Sequence, residues 1–465
     1  MSAPLETAAA NPLIDEPPFG NFVSGVVLTF STRLLMLAGV FGSGVIIARW
    51  LGPEGFGTYA VLNVTVALAL QIGSAGLPSA NTYFIARDRK TAGPIWANAI
   101  VFAFLIGSLL AAGVLALAWL QPSMFGGVGS RLLAIAAVSI PFQLLFVLNL
   151  NVLLALDRIR QLNLFDALLP ALVLVNAVIA LIVLRQQLSF LVSLNTATGS
   201  VLSLVLAIFL GRVIAGINSA RTMRPDAQLL KAMLAYGVKF YVSIMAGAII
   251  FRADLLIVNH FRGAAEAGVY GVASQFSFLL LMLPGVIATL LFPRVASSQD
   301  ERGQFAAFVT RHTTVLMLVC CLAAGAGAFL LPLIYGSPFA DAIVLLLLLL
   351  PGVFLMGLES VLVQHFTGTG LPPAIPLFWL LTLFVSVTLN LAFVPRFGAR
   401  AAAINSSISY ALIFALVLLY FLRTTGNRLR EVLWPNRNEW RTLWSKTRIG
   451  RTNLREDLLS SHRDD

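Results

Sequence analysis

Six ionisable side chains interrupt long apolar runs: Arg33, Lys239, Arg252, Asp254, Glu359 and His365. A charge at mid-bilayer costs about 2.5 to 3.5 kcal/mol on insertion scales, so groups that remain there are candidates for a translocation path. Arg33 lies 11 residues beyond Phe22. At about 1.5 Å per residue that is roughly 16 Å of depth, further than its side chain easily snorkels. Lys239 is shallow enough to snorkel, and His365, near a helix end, reads as interfacial. Arg252 and Asp254 are about 200° apart on a regular helix, so they are not expected to pair; one should face a cavity and the other should find a partner on a neighbouring helix. Glu359 follows the Pro351 and Gly352 break and suits either a structural hydrogen bond near a kink or ion coupling. With His365 set aside, three cations and two acids remain. Arg33, Arg252 and Lys239 could grip an anion, while Asp254 and Glu359 could exchange an ion. No His, Cys and carboxylate spacing resembles a metal site, and no Gly-rich run with a Lys before Ser or Thr resembles a nucleotide loop. No catalytic residue, metal or cofactor is therefore assigned.

The elements that must position these groups follow from composition. Of 465 residues 58% are hydrophobic and only 11% charged, with a mean hydropathy of +0.89. A soluble globule needs about a quarter charged residues to cover its surface. The apolar stretches exceed the roughly 20 residues of a membrane-crossing helix and lack the alternation of a barrel. The reading is an all-α polytopic membrane protein. Twelve spans are predicted near 22–48, 57–85, 94–119, 131–155, 164–184, 188–211, 233–259, 268–292, 308–331, 341–366, 374–394 and 399–422. The first twenty residues hold Glu6, Asp15 and Glu16 and no Lys or Arg, unlike a cleavable signal, so the first span is expected to be retained. Cys320 and Cys321 are adjacent within an apolar run and report packing only.

Counting Lys and Arg in alternate connections gives 22 on one side and 6 on the other. The excess places both termini in the cytoplasm. The net charge of +11 then reflects contact with anionic lipids, and its dispersal over separate loops argues against nucleic acid. In the tail, Trp440, Leu443 and Trp444 share a helical face opposite Arg441, Lys446 and Arg448, a pattern for an interfacial helix.

A short turn is written twice. "ARWLGPEGFGTYAV" at 48–61 returns in weaker form as "NHFRGAAEAGVYGV" at 259–272, and an offset of 211 carries Gly52 onto Gly263, Gly57 onto Gly268 and Tyr59 onto Tyr270. The same offset lays four later connections onto four others. Six spans separate the copies, so the predicted architecture is two six-helix lobes related by a parallel repeat about the membrane normal. The domain reading is a cytoplasmic segment at 1–20, an N-terminal lobe at 21–216, a cytoplasmic linker at 217–232, a C-terminal lobe at 233–423 and a basic tail at 424–465. Within the turn, Gly52 suits a helix C' position, Pro53 the first turn of the next helix and Glu54 its positive end.

These two patches, with "GSAGLPSANTYFIAR" at 73–87 and "RADLLIVNHFRGAAEAGVYGVA" at 252–273, resemble the signatures of the bacterial polysaccharide flippases. That family is the Wzx-like branch of the multidrug/oligosaccharidyl-lipid/polysaccharide exporter superfamily. The second copy departs from the first by losing the proline and moving its acid to Glu266. The resemblance implies a V-shaped, twelve-helix transporter of the bacterial inner membrane. Its expected cargo is a polyprenyl-diphosphate-linked oligosaccharide, moved from the inner to the outer leaflet by alternating access for O-antigen, capsule or exopolysaccharide synthesis. Other polysaccharide assembly proteins are expected partners. Arg33 and Arg252 suit the diphosphate because a guanidinium fork matches phosphate oxygens in pairs. The alternatives are a cation-coupled multidrug antiporter or a peptidoglycan lipid-precursor flippase of the same superfamily. A membrane-embedded glycan polymerase or ligase would need a substantial outward catalytic loop, whereas the outward connections here are short.

Overall fold

The computed structural model describes residues 19–217, 223–298 and 303–434. Among them ten helical segments are long and apolar enough to cross a membrane. Two of the ten are broken by a glycine outside helical geometry. The first helix, α1 (Phe19–Ser74), breaks at Gly52 with φ 67° and ψ −175°, and Pro53 opens the helix that follows. A left-handed φ costs glycine nothing sterically, and proline at a first helical turn sacrifices no needed N–H.

That break reverses the chain. On α8 (Ala264–Ser298), successive turns touch both arms of α1. A Cβ at Gly271 would meet Ala60, eight residues after Gly52, while Gln275 lies against Gly44, eight residues before it. Positions equidistant from the glycine thus share one depth, as two antiparallel arms require. The second break lies in α12 (Ala374–Thr425) at Gly398, with φ 64° and ψ −147°. Its arms are joined by Asn405 Nδ2 donating to Asn390 Oδ1 at 3.5 Å, seven and eight residues either side of the glycine.

The remaining helices of the first half are α2 (Leu77–Arg87), α3 (Ala92–Leu120), α4 (Ser130–Ala155), α5 (Ile159–Ala177, prolonged by a π turn at Val178–Val183) and α6 (Leu188–Ile217). The second half adds α7 (Ala227–Arg262), α9 (Gln304–Gly327), α10 (Leu331–Tyr335), α11 (Ala342–Gly368) and α13 (Leu429–Leu433). The offset read from sequence recurs in backbone geometry. Gly52 and Gly263 both have positive φ, at 67° and 87°. The starts of α6 and the second α12 arm are also 399 − 188 = 211 residues apart. The copies diverge at Ala75 and Gly76, where φ turns positive and separates α1 from α2, whereas α8 runs on unbroken.

The two copies of the turn meet each other. A Cβ on Gly57 would fall 1.7 Å from the Ala264 carbonyl oxygen, and one on Gly268 would fall 2.0 Å from that of Pro53. Each contact is the other's image under the offset. Only glycines let the backbones approach this closely, the means by which helices pack where lipid removes the hydrophobic drive. The motif is repeated because it is one seam seen from both sides.

Two of the assigned segments contain helices. The linker assigned to 217–232 is already helical from Ala227, because the Asp226 carboxylate caps α7 by accepting from Gln228 N at 2.9 Å and Leu229 N at 3.0 Å. The tail assigned from 424 begins with the packed helix α13, whose Val432 is fully buried. The interfacial pattern at 438–450 lies outside the described residues.

Candidate functional site

Asp254 sits eight residues before the end of α7, about 12 Å from the turn end of the molecule at 1.5 Å per residue. It is 4% exposed. One carboxylate oxygen accepts from the Tyr270 hydroxyl of α8 and from Ser406 Oγ of the second α12 arm at 3.0 Å. The other accepts from Leu255 N at 2.7 Å. Among the described residues no basic side chain forms an ion pair with it, whereas Arg262 pairs with Glu266. A buried carboxylate without a cation is costly, and hydroxyl donors offset only part of that cost. The site is therefore suited to taking up a proton or a small cation.

Arg252, two residues earlier, is exposed on another side of α7, its guanidinium 5.8 Å from the centre of the Phe278 ring. Arg252 and Asp254 do not pair, as the helical geometry requires. Asp254 has its partners on α8 and α12, and among the described residues Arg252 forms no ion pair. The side chains of Arg33, on the first α1 arm, and Lys239, on α7, lie outside what the structure describes.

Glu359 is 17 residues into α11, about 25 Å from the turn end, and so is not brought together with Asp254. It is 1% exposed, and its Oε1 has no hydrogen-bond partner among the described residues. His365 lies in the last turn of α11. It is buried, with its ring 5.2 Å from that of Phe421 and 5.3 Å from that of Phe366.

Reasoning confined to ionisable residues missed a neutral polar chamber in the first half. Tyr59, Asn63, Ser139, Gln143, Asn195 and Ser200 line a cavity of about 200 Å³ between α1, α4, α5 and α6. The signal was present in the repeat, since the offset carries Tyr270 onto Tyr59, Ser406 onto Asn195 and Asp254 onto Ser43. Glu266, noticed as a displaced acid, caps the second α12 arm by accepting from Ala399 N at 2.6 Å and bonds Arg262 Nε at 2.9 Å.

Reciprocal hydrogen bonds tie the halves at the turn end. Arg49 donates to the carbonyls of Ile334 and Leu333 in α10, and Asn259 Nδ2 reaches the carbonyls of Met124 at 3.4 Å and Gly126 at 3.2 Å. Each bond runs from the end of a turn-proximal helix to the α3–α4 connection or its counterpart before α11. At the opposite end contact passes through Gly76 and Gly237, while Tyr241 donates to the Gln71 carbonyl at 2.8 Å.

Comparison with known proteins places this geometry. The chain is similar to a succinoglycan biosynthesis transport protein, ExoT, of Rhizobium meliloti (strain 1021), at 25% identity over 388 residues, covering 80% of this chain and 72% of that one. Its fold is similar to the lipid II flippase MurJ in an inward closed conformation, with a TM-score of 0.69 at 14% identity, covering 87% of this chain and 90% of that one. It is also similar to an inward-facing multidrug resistance MATE family transporter of the MOP superfamily, with a TM-score of 0.68 at 16% identity and coverage of 86% and 98%. The family described as polysaccharide biosynthesis protein matches residues 46–344. That match spans well over half of a multi-pass helical membrane chain, and the chain belongs to this polysaccharide biosynthesis protein family.

Proposed function

We propose that the protein is a flippase, not an enzyme, that carries a polyprenyl-diphosphate-linked oligosaccharide from the inner to the outer leaflet of the bacterial cytoplasmic membrane by alternating access. The observation that carries this reading is that the halves meet through a glycine pair at each end, Gly57 with Gly268 at the turn end and Gly76 with Gly237 at the other, with a few hydrogen bonds beside each. Small rocking of the halves can break such a contact without unfolding either one. Family membership and the succinoglycan transport relative direct the cargo towards polysaccharide precursors.

In this reading twelve helices form two lobes, 21–216 and 233–423, with both termini in the cytoplasm on the strength of the 22 to 6 distribution of basic residues. The turn end is then outward. Arg252, with Arg33 and Lys239, meets the diphosphate, while the polyprenyl chain stays in lipid. Asp254 is the ion-coupling group, because it is buried against hydroxyls without a cation; Glu359 is a second candidate at a different depth. Anionic lipids contact the basic loops, and other polysaccharide assembly proteins receive the product.

The test is transport by purified protein in liposomes, read as the fraction of a lipid-linked oligosaccharide that becomes accessible to an impermeant glycosidase. Accessibility no faster than in protein-free liposomes would refute the proposal. The buried Asp254 also fits a cation-coupled drug antiporter. Cation-driven drug uptake in the same vesicles, with no lipid flipping, would establish that reading instead.

A further inference from the structure

The neutral chamber of the first half has no part in gripping a diphosphate or exchanging an ion. Its volume of about 200 Å³ is room for about six or seven waters at ~30 Å³ each, comparable to one pyranose ring with its hydroxyls. None of its lining residues is charged. Amides and hydroxyls share its walls with apolar side chains such as Leu62, Val66 and Leu169, so it offers donors and acceptors beside apolar surface, as a sugar ring with hydroxyls on a carbon frame requires.

Several of these groups have unused capacity. Asn195 Oδ1 accepts from Asn176 Nδ2 at 2.9 Å, yet Asn195 Nδ2 and Ser200 Oγ are buried atoms with no protein partner. Gln143 Nε2 donates to Ser139 Oγ at 2.9 Å, and Tyr59 lines the same cavity. Phe146 adds an aromatic wall. Asn63, at the rim, is exposed and lies one helical turn beyond Ala60, the residue that faces Gly271 of the other half. The mouth therefore opens beside the seam.

The repeat explains why this chamber is neutral. Its Tyr59 and Asn195 are the images of Tyr270 and Ser406, the residues that hold Asp254, and 254 − 211 = 43 is a serine. Ser43 is buried and donates to the Val40 carbonyl at 3.0 Å. The position that supplies a charge in one half supplies a small, self-satisfied hydroxyl in the other. Without the acid, the first-half copy has nothing to balance a bare cation, but it retains a polar lining and has room.

Resting on the flippase reading, we propose that this chamber is a saccharide subsite that takes one neutral sugar ring of the lipid-linked headgroup while the diphosphate stays with the arginines. Asn195, Gln143 and Ser200 are its specificity-determining contacts. A site built to hydrogen-bond hydroxyls discriminates strongly against a ligand that lacks them.

The test uses full-length protein in liposomes with two lipids, polyprenyl diphosphate bearing a single hexose and bare polyprenyl diphosphate. Asn195→Leu and Gln143→Met keep side-chain volume but remove the amide. Each should slow flipping of the hexose lipid about tenfold, the loss of one to two neutral hydrogen bonds, and change the bare lipid less than twofold. Asn195→Ser, which supplies the hydroxyl found in the other half, should fold normally and fall between them. Equal slowing of both lipids, or no change with either, would overturn the subsite, leaving a structural or water-filled pocket. Competition by free hexose would overturn it in favour of a soluble sugar. If wild-type protein flips neither lipid, the flippase reading itself fails, an outcome distinct from the other three.

Discussion

Around one repeat position the interiors of the two halves share a plan and differ in charge. In the second half, Tyr270 and Ser406 converge on Asp254; in the first, Tyr59 and Asn195 occupy the same places around a cavity, and the acid is replaced by Ser43. A carboxylate must be wrapped tightly by donors if it is to survive burial, whereas amides and hydroxyls can stand around open space at lower cost. A duplicated scaffold can thus provide a compact ion-responsive centre and a roomier neutral one, and the choice turns on the residue at one repeat position.

The largest test of that contrast is to exchange the charge. Ser43→Asp buries a carboxylate with no cation beside a cavity whose groups do not wrap it, and should lower stability by about 3 to 5 kcal/mol. Asp254→Asn should leave thermal stability unchanged or raised, yet abolish ion-dependent transport in liposomes. Equal stability losses from the two changes would show that the halves are interchangeable.

Arg252 should behave as a binding group and not as a counter-ion, since among the described residues no carboxylate forms an ion pair with it. Arg252→Ala should cost about 1.5 to 3 kcal/mol of transition-state or binding free energy in flipping assays, with lysine only partly restoring it because it lacks the planar fork. Arg396→Ala, in a predicted outward connection, should be nearly silent. Rescue of Arg252→Ala by removing an acid would mark the arginine as structural.

The glycine seam sharpens the symmetry itself. Gly57→Ala and Gly268→Ala would press a methyl onto the Ala264 and Pro53 carbonyls respectively, and overpacking of this kind costs about 1 to 3 kcal/mol. Both should shift the turn end towards open, by similar amounts, when read by impermeant labelling of a cysteine at Ala60. A large inequality would show that the halves do not share the seam evenly. The smallest expected effect is at the reciprocal ties: Arg49→Ala and Asn259→Ala should each destabilise the closed turn end by about 0.5 to 1.5 kcal/mol, measured in the same assay.

Much of the fold was legible because its causes are local or additive. Apolar length dictates spans, basic residues bias orientation, and glycine followed by proline makes a turn wherever it occurs, so Gly52, Pro53 and the offset of 211 could be read directly. Details that depend on tertiary partners were not legible. Asp226 extends α7 backwards by capping it, α13 packs, and His365 is enclosed by Phe366 and Phe421. The candidate site was half legible. A charge in an apolar run announces itself, so Asp254 and Arg252 stood out, but neutral Asn195 and Gln143 cost too little in hydrocarbon to be conspicuous.

By itself the sequence determined that this chain crosses a membrane as helices, that it is a repeat, and that Arg252 and Asp254 face different ways, because hydropathy, periodicity and helical angle are properties of the string. The tertiary structure alone decided that Tyr270 and Ser406 hold Asp254, that Glu359 lies too deep to join it, that Gly57 meets Gly268, and that the equivalent of the acid site is an open neutral chamber. Those outcomes depend on how each helix is rotated and slid against its neighbours, and close packing between helices fixes rotation and register only once all of them are in place.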